Sequence, residues 1–442
     1  MLTEIGTGLH LGPDRDDLLS ASRAAAARVL GRRFGIVSVC MPLVSNRNGA
    51  ELHVYAAAGA RRLPGWRFLA RATGTGVSSD PELARLAAIS EAVESYVSMA
   101  PAPPGRLRRS SYAALREVAV DPACLAMHSA RQYGEQPKLA PLTEDSVIDW
   151  CQGWSMSTAA PVWIPAALVY LTHPHGAPNN FVAEVTSTGI AAHVALAPAI
   201  LAGTHECLER DAVCIAWANA IQLRRLDPRD TSIDALVRDG FGPETAVALY
   251  DVPTDSPCPT VMAVAWSETD PPHAAIGAAS RLDHESAAYK ALCEAAQMRA
   301  RFTDRPALPP DRVRTFDDHA NFFAGATGAR LLRDVVEGGE RVRLADLPRA
   351  PEVSARDALD GIANSLAERS LDLIVVELTT ADVAAAGYRV VRVIVPGLVD
   401  ASADARFPRL GGDRLYTSLA GLGLLAAPLA ESHLNLLPSP IA

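Results

Sequence analysis

Residues 199–220, AILAGTHECLERDAVCIAWANA, read as a helix with almost no polar side of its own. Its only charges are Glu206, Glu209, Arg210 and Asp211, and both flanks are apolar. A chain that buries such a helix must bring other elements around those four side chains, because a carboxylate removed from water takes up a proton or needs cations and hydrogen-bond donors. Taken alone, the pair has a simpler reading as a solvent-facing Glu206–Arg210 ion pair of the i, i+4 kind. It does not stand alone. In LARLAAISEAVESYVSMA the only charges are Arg85, Glu91 and Glu94, and in AAYKALCEAAQMRA Glu294 and Gln297 repeat the same spacing. Residues three apart share a helix face, and like charges there repel.

Convergence of five carboxylates and one amide from three apolar helices would relieve that repulsion by holding hard divalent cations. All-oxygen ligands of this kind suit Mg²⁺ rather than zinc. Mg²⁺ bound by a few carboxylates keeps positions open for phosphate oxygens, and Arg210 would complement the remaining phosphate charge.

The chain has 442 residues, of which 49% are hydrophobic and 21% charged, a globular composition with ample core. A net charge of -9 argues against nucleic acid or anionic lipid as a partner. Seven scattered cysteines with no C-x-x-C pair fit free thiols in a reducing compartment. An acidic N-terminus and the lack of a long apolar run lead to the expectation of a cytoplasmic protein with no membrane segment. Helices are expected at 16–31, 81–100, 196–220 and 284–303, and strands at 34–44, 50–58 and 258–267. Strand, short helix and strand follow within 371–397. The Pro-, Arg- and Asp-rich segment 303–354 reads as a flexible insertion. With no clear linker and no repeat of fixed period, the expectation is one large α+β domain over 1–442, with strands and a helix in 1–60 and a proline-containing tail at 430–442.

HECLE lacks the second histidine of a zinc-protease helix, and no P-loop or kinase set occurs. GTGVSS carries two glycines of a dinucleotide fingerprint without the rest and reads as a turn. His193 and His205, beside the second acidic pair, read by default as packed residues, as do Cys207 and Cys214.

The three acidic segments occur in the order of a known family. GTGVSSDPELARLAAISEAVESY, TSTGIAAHVALAPAILAGTHECLERDA and GAASRLDHESAAYKALCEAAQMRA resemble the first, second and third motifs of the YcaO superfamily. VVRVIVPGL, GGDRLY and the terminal PSPIA resemble its closing segments. The resemblance implies a YcaO-like fold with ATP held between mixed sheets and helices, and Mg²⁺ carried by Glu91, Glu94, Glu206, Glu209 and Glu294 around the triphosphate. It places Ser187, Arg210 and Gln297 near the nucleotide. It also implies that the tail, with Pro438, Pro440 and the carboxylate of Ala442, reaches the active site, so the general base is either that carboxylate or a histidine such as His193. Departures from the family pattern are Ala87 for Ser, Ser95 for Arg, Thr188 for Asn, Pro198 for an acid, and Ile441–Ala442 where a further proline is common.

The implied reaction is ATP-dependent cyclodehydration of a ribosomally made precursor peptide to a thiazoline or oxazoline. The same activation with sulfide or an amine gives a thioamide or an amidine ring, and an idle nucleotide-binding scaffold subunit is the reading of another class. The implied partners are the precursor peptide and a separate leader-binding protein of the E1-like or recognition-element type; a homodimer is left open, since the sequence does not set the oligomeric state.

Overall fold

The computed structural model describes residues 15–43, 51–61, 70–125, 127–136, 139–173, 185–301 and 308–441. Three sheets organise them. The first is an antiparallel meander of β1 (Val39–Pro42), β2 (His53–Arg61) and β3 (Ala70–Ser78). The second has six strands, β4 (Leu107–Ser110), β5 (Ile148–Ser155), β13 (Ile374–Glu377), β14 (Arg389–Ile394) and β7 (Ile190–His193) in that order, with β6 (Ala160–Pro165) paired to β5. The third runs β11 (Ala274–Ser280), β10 (Thr260–Trp266), β9 (Ala246–Val252), β8 (Arg224–Asp227) and β12 (Arg341–Arg343), antiparallel except for the parallel β8–β12 pair.

Eight described α-helices have eight or more residues: α1 (Arg15–Val29), α2 (Pro81–Ser98), α3 (Leu196–Ala218), α4 (His284–Arg301), α5 (Phe316–Ala324), α6 (Ala326–Val336), α7 (Ala355–Ala367) and α8 (Arg414–Gly421). Asp80 caps α2 by accepting hydrogen bonds from the backbone N–H groups of Glu82 (2.7 Å) and Leu83 (3.2 Å), and Pro81 fills the first helical position. Ala88, Ile89, Ala92 and Val93 give α2 an apolar stripe that shares a cluster with Ala57 and Ala72 of the first sheet. In the same way Ala287, Ala288, Ala291 and Ala295 of α4 pack on Val261, Ala263, Ala275 and Ala279 of the third.

The long helix α3 is buried on two sides. Cys207 and Leu208 meet Val391 and Val393 of the six-stranded sheet, while Ala212, Val213 and Trp217 meet Ala248, Val264 and Ile276 of the five-stranded one. A helix enclosed in this way has no use for a polar face, which explains its composition. Pro198 sits in its first turn, where an N–H would have no partner within the helix and its loss costs little.

Two expectations from the sequence meet a different structure. GTGVSS is part of strand β3 rather than a turn. Its glycines are needed because α2 lies directly on the strand: a Cβ at Gly74 would stand 2.3 Å from the Ala88 carbonyl oxygen and 2.4 Å from the Ala92 nitrogen. The segment 303–354 holds α5, α6 and β12, and Phe322, Phe323, Leu332 and Val336 enter the same apolar cluster as Trp217.

The structure also contains a repeat. A Cβ at Gly277 in β11 would stand 2.2 Å from the Ala291 carbonyl and 2.4 Å from the Ala295 nitrogen. Gly74, Ala88, Glu91 and Ala92 are thus matched, in order and at identical spacing, by Gly277, Ala291, Glu294 and Ala295. Each unit is a last meander strand, an Asp-led turn and a helix, so Glu91 and Glu294 occupy equivalent stations. Gln297 corresponds to Glu94.

Candidate active site

The three acid-bearing helices meet around one cavity of 1240 Å³. Glu91 and Glu94 reach it from α2, Glu206, Glu209 and Arg210 from α3, and Glu294 and Gln297 from α4. Ser187, just before the short strand β7, and His193, its last residue, line it as well. All seven side chains predicted from the acidic helices are therefore brought together. Four of them are held by contacts within the fold. The Thr75 N–H donates to Glu91 Oε2 at 3.1 Å, and the Gly189 N–H donates to Glu206 Oε2 at 2.9 Å. Gly189 has φ +79°, and a Cβ there would meet the Val393 carbonyl at 2.2 Å, so only glycine presents this N–H to Glu206. Arg210 lies 3.4 Å from Glu206 Oε1 and 5.4 Å above the Phe316 ring, and Lys290 Nζ lies 3.2 Å from Glu294 Oε1.

Burial, followed by the charges of Glu206 and Glu91, pushes the Glu94 carboxyl well above its ordinary range. Burial and the charge of Glu294 do the same to Glu209. Burial also raises Glu91 and Glu206, opposed by the Thr75 N–H in the first and by Arg210 and the Gly189 N–H in the second. Carboxylates that repel one another within a cleft, with few protein cations among them, are what a site for divalent cations requires. Among the described residues no three His, Cys, Asp or Glu side chains form a ready-made cage for one ion. Mg²⁺ held by one or two carboxylates together with phosphate oxygens needs no such cage.

A pH dependence follows. Glu94 and Glu209 have folded-state pKa values above 4.5, so the stability contributed by their protonated forms is present at low pH and lost as pH rises through those values. The stability of the ligand-free wild type relative to Glu94→Gln should therefore fall as pH rises, since the buried histidines with lowered pKa are common to both proteins, and Mg²⁺ with the ATP analogue AMPPCP should offset that loss in wild type. Calorimetry in two buffers of different ionisation enthalpy should detect protons released on binding. Uptake, or no proton change, would contradict the assignment.

The C-terminal tail runs to the same cavity. The Asn435 N–H donates to the Ala218 carbonyl at 2.7 Å, and Trp217 Nε1 donates to the Leu437 carbonyl at 3.1 Å. His319 on α5 places Nδ1 3.0 Å from the Ser439 carbonyl and Nε2 3.0 Å from that of Ala403. Pro440 and Ile441 line the cavity, Pro438 is buried without being among its lining residues, and Ala442 lies outside the described residues. His193 is held differently from a base. Its Nδ1 accepts from the Ala195 N–H at 3.2 Å and burial lowers its pKa, so the ring is neutral with its proton on Nε2.

Asp211 turns away from the cavity. It is fully buried and meets Arg414 of GGDRLY through bonds of 2.6–3.0 Å, with the Val399 N–H at 2.8 Å. Arg414 in turn reaches Asp255. The departures from the family pattern also find places. Thr188 Oγ1 donates to the half-buried Asp400 Oδ1 at 2.7 Å and is not among the cavity-lining residues, Ser95 Oγ lies 3.5 Å from Thr73 Oγ1, and Ala87 lines the cavity. Reasoning from the sequence missed His319, Asp400 and Arg414 as supports, since their partners are remote in the chain.

The fold and this cleft give the protein one large carboxylate-rich centre, suited to divalent cations and the phosphates they carry. The family model described as YcaO cyclodehydratase, ATP- and Mg²⁺-binding, matches residues 75–399, and the chain belongs to that family. Among solved structures, a heterocyclase in complex with substrate and cofactor is similar at TM-score 0.76 with 22% identity, covering 95% of this chain and 57% of that one. The chain thus spans little more than half the length of that heterocyclase. YcaO from Methanopyrus kandleri bound with AMPPCP and Mg²⁺ is similar at TM-score 0.63 with 21% identity, covering 86% of this chain and 91% of the other. These two likenesses establish the fold. An uncharacterized protein of the tfuA 3' region of Rhizobium leguminosarum bv. trifolii is 28% identical over 348 residues, covering 73% of this chain and 76% of its own. Among the described residues no helix is long and apolar enough to cross a membrane.

Proposed function

We propose that this chain uses ATP to convert a backbone amide of a ribosomally made precursor peptide into a thiazoline or oxazoline. The observation that carries the reading is the convergence of five carboxylates from three helices on one cavity, into which the chain's own tail also inserts. A Cys, Ser or Thr side chain of the peptide attacks the preceding carbonyl carbon and loses its proton to a base. The carbonyl oxygen takes the γ-phosphoryl group of ATP, and ADP departs. The C–O bond then breaks as the amide nitrogen loses its proton and forms C=N, so phosphate carries away the oxygen and the peptide is lighter by one water.

Amide oxygen is a poor leaving group and phosphate a good one, which is the purpose of the transfer. Mg²⁺ bound by these carboxylates would supply charge neutralisation for the transferred group. The protein's part is positioning. Glu206, fixed by Gly189 and Arg210, and Glu91, fixed by Thr75, hold their oxygens in place before substrate arrives. Because His193 carries its proton on Nε2, the tail is the better source of the base. A separate leader-binding protein delivers the peptide, in keeping with the family resemblance.

The test is mass spectrometry of a candidate precursor peptide incubated with the full chain, such a partner, ATP and Mg²⁺. The expected product is lighter by one water, with ADP and phosphate released. An unchanged peptide would overturn the proposal, and a product with sulfur in place of oxygen would replace ring closure by thioamide formation.

A further inference from the structure

One polar side chain at the cavity is used by none of the arrangements above. Asn321, on α5, is 9% exposed and lines the cavity, and no hydrogen bond joins its carboxamide to another described residue. Its amide opens onto the cavity rather than into the packed interior. Its amide atoms reach the accessible space of the cavity and can therefore pair with a ligand in place of water.

The position narrows the ligand. Leu18 and Leu19 of α1 with Leu83 and Leu86 of α2 give the cavity an apolar part of its lining, suited to a planar base. Asn321 lies two residues after His319, which meets the Ser439 carbonyl, so it shares with Pro440 and Ile441 the part of the cavity lining that carries the tail. Helix α5 carries both links to the reacting region, since His319 holds the tail at Ser439 and Phe316 lies under the Arg210 guanidinium. The volume of 1240 Å³ exceeds the roughly 300–1,000 Å³ of ordinary small-molecule sites, which leaves room for a second ligand beside a nucleotide. A carboxamide offers two donors and an acceptor, so it can pair with both the C=O and the N–H of a peptide group, whereas a phosphate would use its donors alone.

We propose that Asn321 binds the backbone of the substrate peptide, pairing its carboxamide with a main-chain amide next to the reacting residue. This inference rests on the peptide-modifying reading given above. Recognition of backbone does not depend on side chains, so a minimal capped peptide is a sufficient probe. Binding of N-acetyl-Gly-Cys-Gly amide to the full chain saturated with Mg–AMPPCP would be measured by saturation-transfer NMR, for wild type, Asn321→Leu and Asn321→Ser. The expected result is peptide affinity about fivefold to tenfold weaker in Asn321→Leu, smaller losses in Asn321→Ser, and Mg–AMPPCP affinity within about twofold of wild type in both. Retained nucleotide affinity also reports that the variants are folded.

Equal peptide affinity in all three proteins would overturn the proposal, as would absence of peptide binding to any of them. Loss of nucleotide affinity in the variants alone would assign the amide to the nucleotide and overturn it too. Failure of wild type to bind Mg–AMPPCP would sink the reading beneath it, a result distinct from intact nucleotide binding with unchanged peptide affinity.

Discussion

Glu209→Gln should make the ligand-free protein more stable and the enzyme inactive. Glu209 is 7% exposed, and burial together with Glu294 disfavours its charge. Gln keeps its shape and removes that charge. The thermal midpoint without ligand should rise by a few degrees, and the gain over wild type should grow with increasing pH, because one of the groups with a raised folded-state pKa is gone. The stabilisation given by Mg–AMPPCP should shrink or vanish, and ATP turnover with peptide should fall by about 10²–10³. Scanning fluorimetry with and without Mg–AMPPCP, set beside an ADP-release assay, reads both signs. A surface carboxylate, or one serving only to pair with Arg210, would leave the nucleotide-induced shift intact, and that outcome would remove Glu209 from the cation-binding set. Undiminished peptide modification with nucleotide binding lost would instead identify the chain as an idle subunit.

The second large effect is structural. Arg414→Ala leaves the fully buried Asp211 with only the Val399 N–H and strips Asp255 of its partner. Removing one member of a buried charge pair costs about 3–5 kcal/mol, since the remaining charge is left without compensation. Urea unfolding should show a loss of that order. Arg414→Lys, which keeps the charge but not the planar fork that meets two carboxylates, should fall between. The damage should reach the cavity, because Asp211 follows Glu209 and Arg210 on α3 and ties that helix to α8. A variant as stable as wild type would show that the pair contributes nothing net and that α3 is positioned by apolar packing alone.

Much of the site was legible in the chain. The spacing of Glu91 and Glu94, Glu206 and Glu209, and Glu294 and Gln297 puts each pair on one helix face. Apolar flanks leave those helices nowhere to show charge except to each other, and all of these side chains line the same cavity. The helices themselves began and ended within about two residues of where capping, proline and periodicity placed them. Other features were hidden by the same local rules. Glycines in GTGVSS look like a turn when read locally, but pairing with β2 makes them strand residues, and the close approach of α2 is what requires glycine there. The segment 303–354 lacks a sustained period because its helices are short, yet Phe322 and Phe323 are core residues.

The sequence by itself determined which residues carry charge, which faces of the helices they share, and the family to which their order belongs. These are properties of neighbours a few positions apart. Tertiary structure decided where each charge is spent. Glu209 and Asp211 are two residues apart on one buried helix, but a rotation of about 200° along the helix sends the first to the cavity and the second to Arg414. Thr188 is turned to Asp400, the tail is fixed by His319, and Asn321 faces the cavity for the same kind of reason. Their partners are brought up by the packing of three sheets around α3, and no local spacing records that packing.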